Sequence, residues 1–164
     1  MFYKTFTMSQ TFRECGDCSL CCQGTLTVKI NEHEVYPKNP CPHVTCDGCG
    51  IFGDPSRPDV CKGYYCAWTQ DRRFPDWLKP NRCHFVMTYN LDTMVITGDP
   101  DHPVDASAFL WVLNYCALYN KKVHYTIKSA SHSDSYDRGT IRVSSTQMKT
   151  GTIEQIYEPR ELFN

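Results

Sequence analysis

Apolar positions recur with clear periods in the second half of the chain and with almost none through much of the first. Cys83, Phe85, Met87 and Tyr89 fall on one face of a predicted strand. Asn90 to Asp92 reads as a turn and Met94 to Thr97 as a returning strand, so the segment predicts a hairpin. Downstream, Phe109, Val112, Leu113 and Cys116 keep the i, i+3, i+4, i+7 spacing of an amphipathic helix. Asp105 is placed to cap its start, and Lys121 and Lys122 stand at its C-terminal end. Val123, Tyr125 and Ile127 alternate as a strand, SASHSDSYDRG reads as a polar loop, and Ile141 and Val143 suggest another strand. Nearer the N-terminus, Leu26, Val28 and Ile30 alternate with polar neighbours and predict a half-buried strand. The expected fold is α+β: one main helix on a small antiparallel sheet, beside a cysteine-rich N-terminal half.

That half has no comparable pattern. From Pro37 to Pro58 the chain reads PKNPCPHVTCDGCGIFGDPSRP, too rich in Pro, Gly and Asp for a helix or long strand to persist. Such a loop inside a compact domain needs something to hold it, and a bound metal contributes on the order of 10 kcal/mol to folding. With 164 residues, 41% of them hydrophobic, the chain is expected to form a single domain over 1–164. Within it, 12–80 forms a cysteine-cluster region and 81–164 a scaffold region.

Charge and motifs narrow the function by exclusion. A formal net charge of −1 and the lack of a long Lys/Arg run argue against nucleic acid or an anionic membrane as partner. The opening MFYKTFTMSQTF has no continuous apolar run, and no later stretch is long and apolar enough to span a bilayer, so a cytoplasmic protein is expected. No phosphate-cradling glycine loop, nucleophile elbow or HExxH helix occurs, which leaves hydrolases and nucleotide enzymes without support. The six histidines are scattered. Only His43, between Cys41 and Cys46, is a ligand candidate, and Trp68, Trp77 and Trp111 read as core or rim aromatics.

The cysteines carry the chemistry. Nine of the eleven lie between Cys15 and Cys66, and in a reducing compartment an odd, clustered set points to metal rather than disulfides. Cys15, Cys18 and Cys21 form CxxCxxC, which lets one loop occupy three corners of a four-iron cluster, with the proline-followed Cys41 as a remote fourth ligand. The competing partition pairs Cys15 and Cys18 with Cys46 and Cys49 as two zinc knuckles. Spacing does not decide between them. Adjacent Cys21 and Cys22 cannot easily serve one tetrahedral centre, so a second centre or a bystander is implied. Cys61 and Cys66 are available for a second set, flanked by Arg57 and Lys62, whose charge would offset that of thiolates. Cys116 reads as a core residue on the helix, while Cys83 stands between the two roles.

Taken in order, C-G-D-C-S-L-C-C, P-C-P-H, C-G-I-F, R-P-D-V-C and Cys66-Ala67-Trp68 resemble the YkgJ-like cysteine-cluster family, a zinc- or iron-chelating domain. The likeness covers roughly residues 12 to 80, and F-P-D-W-L-K-P-N is similar to the segment that follows in some members. It implies metal chelation by Cys15, Cys18, Cys21, Cys22, Cys41, Cys49, Cys61 and Cys66, with Cys46 as an addition to the pattern. A similar cluster accompanies an iron–sulfur centre in flagellin lysine N-methylases; this chain matches only the cluster, and methylase activity is not transferred. Two function classes follow. One is a metal-binding module with a structural or sensory centre, whose sheet-and-helix half engages a protein partner. The other is a redox protein or oxidoreductase subunit. A four-iron four-sulfur cluster is favoured over zinc or iron ions, and binding over catalysis, because no acid–base constellation accompanies the thiols.

Overall fold

The predicted hairpin forms over β5 (Phe85–Asn90) and β6 (Thr93–Gly98), paired antiparallel from Phe85 opposite Gly98 to Asn90 opposite Thr93. The computed structural model describes residues 12–128 and 136–142. Leu91 makes the hairpin turn at φ 52. The helix follows as α4 (Ala106–Leu118), and the Asp105 carboxylate accepts the Ala108 N–H at 2.7 Å, closing one of the amide groups a helix start leaves open. Val112, Leu113 and Cys116 are buried on its inner face and Phe109 is partly so. Burying an aliphatic side chain of this size contributes about 1.5–3 kcal/mol.

From α4 the chain enters β7 (Lys122–Lys128), and β8 (Tyr136–Ile141) completes a four-stranded sheet in the order β5-β6-β7-β8. Here the sheet departs from the antiparallel expectation, because β6 and β7 pair in parallel with Thr93 opposite Lys122. The reason is the helix between them: a strand–helix–strand connection returns the chain to the same end of the sheet, whereas antiparallel neighbours need only a tight turn. The SASHSDSYDRG segment also differs from a continuous loop, since Tyr136 to Gly139 already belong to β8. Its residues 129–135, the expected strand residue Val143, and residues 1–11 lie outside the described residues. Cys83 ends the short helix α3, which is preceded here in chain order by α1 (Asp59–Lys62) and α2 (Ala67–Gln70) and spans Pro80–Cys83. It therefore sits before the strand, not on it.

The N-terminal region adds two small hairpins. β1 (Val28–Ile30) pairs with β2 (His33–Val35), and β3 (Val44–Thr45) with β4 (Gly48–Cys49). Leu26 lies outside β1 and packs on the main core. That core joins both regions: Leu20, Ala67, Trp68, Phe74 and Leu78 from the first pack with Phe85, Met87, Ile96, Val112 and Tyr125 from the second. A smaller cluster holds Ile30, Val35 and Cys41, with Cys22, Val28 and Cys61 against it. Asp71 ties the end of α2 to the scaffold, its Oδ2 accepting from Arg73 at 2.6 Å, Tyr115 OH at 2.8 Å and Tyr89 OH at 3.0 Å. The polypeptide around Cys66 is thus fixed from both sides. Among the described residues no helix is long and apolar enough to cross a membrane.

Candidate metal centre

The opening thiols are arranged by a succession of tight turns. The Cys18 N–H donates to Cys15 O at 3.0 Å, and the Cys22 N–H to Ser19 O at 2.8 Å at the start of a 3-10 turn, Leu20–Gln23. Leu20, 3% exposed, anchors that turn in the core. Cys21 and Cys22 are neighbours on that turn, and their sulfurs stay together, 3.8 Å apart. Two glycines permit the remaining loops to close on it. Gly24 has φ 98 and a Cβ there would lie 2.2 Å from Tyr36 O; Gly48 has φ 113 and its Cβ would lie 2.1 Å from Gly16 O. Only a glycine fits such backbone-to-backbone approaches. The Cys41 N–H donates to Cys22 O at 2.8 Å, bringing Cys41 to the turn as well.

Eight of the thiols line two cavities, and Cys21 lines both. Cys15, Cys18, Cys21 and Cys66 line one small cavity, together with Arg57 and Tyr64. Cys22, Cys41, Cys49 and Cys61 line a second cavity of about 510 Å³, whose wall Cys21 also reaches. Cys66 joins Cys15, Cys18 and Cys21 around the smaller cavity, and Cys41 lines the larger one, where Cys21 is the member of its expected group that reaches it. The reason lies in local anchoring. Cys66 immediately precedes Ala67 and Trp68, which are locked in the main core beside Leu20, whereas Cys41 belongs to the Ile30–Val35 cluster. The zinc-knuckle partition loses a member too. Cys46 stands exposed at the tip of the β3–β4 hairpin with its Sγ 3.6 Å from the Asp47 carboxylate, and lines neither cavity. Cys83 and Cys116 are buried in the main core, where the Cys83 thiol donates to Leu78 O at 3.4 Å. His43 lines the larger cavity, while its backbone N–H pulls the Cys41 thiol down against the stronger effect of burial.

Burial and mutual repulsion dominate the electrostatics. Burial pushes the Cys15 thiol up to about 11, helped by neighbouring Cys66 and Cys18. Burial likewise raises Cys18, Cys41, Cys61 and Cys66. The Cys21 and Cys22 sulfurs lie 3.8 Å apart in hydrogen-bond contact, which raises Cys21 and lowers Cys22. Eight thiolates in two buried pockets need compensating positive charge. Arg57 supplies part of it, because it lines both cavities and lowers Cys15, Cys22 and Cys61. Its guanidinium carbon sits 4.6 Å over the Phe52 ring, and its Nε is buried without a hydrogen-bond partner among the described residues. Lys62, the other expected cation, turns away to Pro55 O at 2.9 Å and Asp59 at 3.3 Å. Lys79 takes a place the sequence did not suggest: it is ion-paired with Asp17, lies 5.5 Å from the Trp68 ring centre and lowers Cys18 against burial.

A second group of ligand-type side chains lies outside the thiols. His84, Asp99 and His102 have ligand atoms all within 4.8 Å of one another, the one such trio of His, Cys, Asp or Glu among the described residues. The sequence reading passed over it because the histidines are far apart. The hairpin was the available signal, since Phe85 opposite Gly98 makes 84 and 99 neighbours. Comparison with known protein families, with curated proteins and with solved structures found no match to this chain.

Proposed function

We propose that the chain is an iron–sulfur protein with two four-cysteine centres, Cys15, Cys18, Cys21 and Cys66 holding one and Cys22, Cys41, Cys49 and Cys61 the other. The observation that carries this reading is the gathering of the eight thiols around two adjoining cavities, with Cys15, Cys18 and Cys66 on the smaller, Cys22, Cys41, Cys49 and Cys61 on the larger, and Cys21 on both. Thiolates are the donor set of iron–sulfur clusters and of structural zinc. The CxxCxxC loop, which can occupy three corners of a four-iron cluster, favours the former. A tetrahedral ion with metal–sulfur bonds of about 2.3 Å holds its four sulfurs roughly 3.8 Å apart. No three of these thiols are mutually within 4.8 Å among the described residues, so neither set is closed to the dimensions of a single ion. The orphaned Arg57 Nε between the sets suits an acceptor such as a bridging sulfide.

Such centres, when bound, supply one-electron exchange. The protein's own groups orient and shield them. Leu20 and Trp68 fix the loops, Arg57 offsets negative charge, and Tyr64, hydrogen-bonded to Thr88 Oγ1 at 2.9 Å, closes both cavities toward the sheet. Electron exchange requires a redox partner, and a protein is the partner this reading proposes. The resemblance to the YkgJ-like family agrees with it as far as metal chelation goes.

Iron, zinc and acid-labile sulfide measured on anaerobically purified protein, with a visible spectrum, test the proposal. Two four-iron centres predict about eight iron and eight sulfide per chain and a broad, reducible visible absorbance. Two zinc ions without sulfide would refute the iron–sulfur reading and leave a closed structural site in each set.

A further inference from the structure

Asp99 follows β6 directly, and its backbone N–H donates to His84 O at 2.8 Å, so the hairpin register places the two residues side by side. Its carboxylate is aimed by its own turn: Oδ1 accepts the Asp101 N–H at 2.8 Å. That leaves Oδ2 to face two imidazoles, with Nδ1 of His102 at 2.8 Å and Nδ1 of His84 at 3.4 Å. His84 holds a left-handed conformation at φ 62, an uncommon one for a residue with a side chain, as the cap of α3. Asp99 is only 4% exposed. An ionised carboxylate so deeply buried calls for a cation, and among the described residues its ion-pair partners are these two imidazoles rather than a Lys or Arg.

We propose that His84, Asp99 and His102 bind one borderline divalent cation of the Zn²⁺ or Fe²⁺ class at the surface, at a site separate from the cysteine region. Imidazole suits zinc, iron, copper and nickel ions, and a carboxylate oxygen completes a donor set that zinc and ferrous iron accept. The dimensions fit. For bonds of about 2.05 Å, the edge of a tetrahedral coordination shell is roughly 3.4 Å, the separation already present between Asp99 and His84. The His102 edge must open by about 0.6 Å on that geometry. The two rings are stacked, with centroids 4.9 Å apart and 29° between planes, so ligation also requires one to tilt. His102 can do this, because its side chain is 60% exposed. The same exposure leaves room for water to complete the coordination shell. The Asp101 N–H on Oδ1 is the outer-shell contact that orients the carboxylate ligand.

This inference does not depend on what the thiols hold, and its test separates the two. The ¹⁵N-labelled full chain is titrated with ZnCl₂ while the histidine ring nitrogens are followed by NMR. Zinc taken up by cysteines leaves these ring nitrogens unligated. The expected result is that Nδ1 of His84 and of His102 shift together to saturation while the other four rings do not. In His102→Ala the zinc-dependent shift of His84 is lost, and in Asp99→Asn the zinc concentration needed rises at least about tenfold. If either ring in the unmodified protein keeps its shift unchanged at saturating zinc, the site does not exist. Persistence of the His84 shift in folded His102→Ala would overturn it equally.

Discussion

Replacing Gly48 by Ala places a methyl group 2.1 Å from Gly16 O, and neither partner is a side chain that can swing away. Real Cβ contacts stop near 3.0 Å, so the CGDC turn and the β3–β4 hairpin must separate by about 0.9 Å, shifting Cys15 and Cys18 relative to Cys66 or Cys49 relative to Cys22, Cys41 and Cys61. Two costs add: about 1–3 kcal/mol for a side chain at an unfavourable backbone angle, and about 1–3 kcal/mol for overpacking. Two other glycines separate them. Gly53 has φ 80 but open space around it, so Gly53→Ala carries strain alone, about 1–2 kcal/mol. Gly63 has φ −85 and only an ordinary contact at 3.5 Å, so Gly63→Ala is neutral or stabilises by about 0.4–1 kcal/mol through the unfolded chain. Anaerobic urea unfolding of the three variants, with metal content measured on each, reads the series. At a slope of about 2 kcal/mol per molar, Gly48→Ala lowers the midpoint by roughly 1–3 M, and it alone should lose metal. If Gly48→Ala matches Gly53→Ala within about 0.5 kcal/mol and keeps its metal, the close approach of these loops is not what holds the thiols together.

Other outcomes follow from single contacts. Asp105→Ala removes the α4 cap and should cost about 1 kcal/mol in thermal or urea unfolding. Burial raises the Asp71 carboxyl, but Arg73, Tyr115 and Tyr89 together outweigh it and hold it well below the usual carboxylate range. The folded state then binds fewer protons than the unfolded one, so this stabilisation is complete above the unfolded value of about 3.9 and is lost as pH falls below it. Asp71→Asn should flatten the acid limb of stability against pH and leave a smaller maximum; an unchanged acid limb contradicts the assignment. Arg57→Gln removes the cation next to both thiol sets, so the reduction potential of the bound centres should move to more negative values in voltammetry, while a shift in the opposite sense would show that Arg57 does not balance their charge.

What could be read from the chain depended on how local each cause is. The helix α4 needs only an apolar stripe and a capping Asp105 within its own residues, and the β5–β6 hairpin only alternation and a turn. Both are legible without knowing what they pack against. The parallel pairing of β6 with β7 was missed because alternation says nothing of strand direction; the helix between the two strands was the cue. The thiols show the same division. CxxCxxC announces three neighbours in one loop, but which distant cysteine completes the set depends on where Ala67 and Trp68 are buried, and no spacing encodes that. The roles of Arg57 and Lys62 could not be separated by sequence position, since both flank Cys61 and only the fold of the 51–58 loop turns one inward.

Iron and sulfide content of Cys41→Ser bears most directly on the division of the thiols into two sets. With Cys15, Cys18, Cys21 and Cys66 as an independent centre, this variant should keep about half the iron and sulfide of the unmodified protein, about four of each. Complete loss would return Cys41 to the CxxCxxC group, and full retention would remove it from any centre; either result contradicts the account.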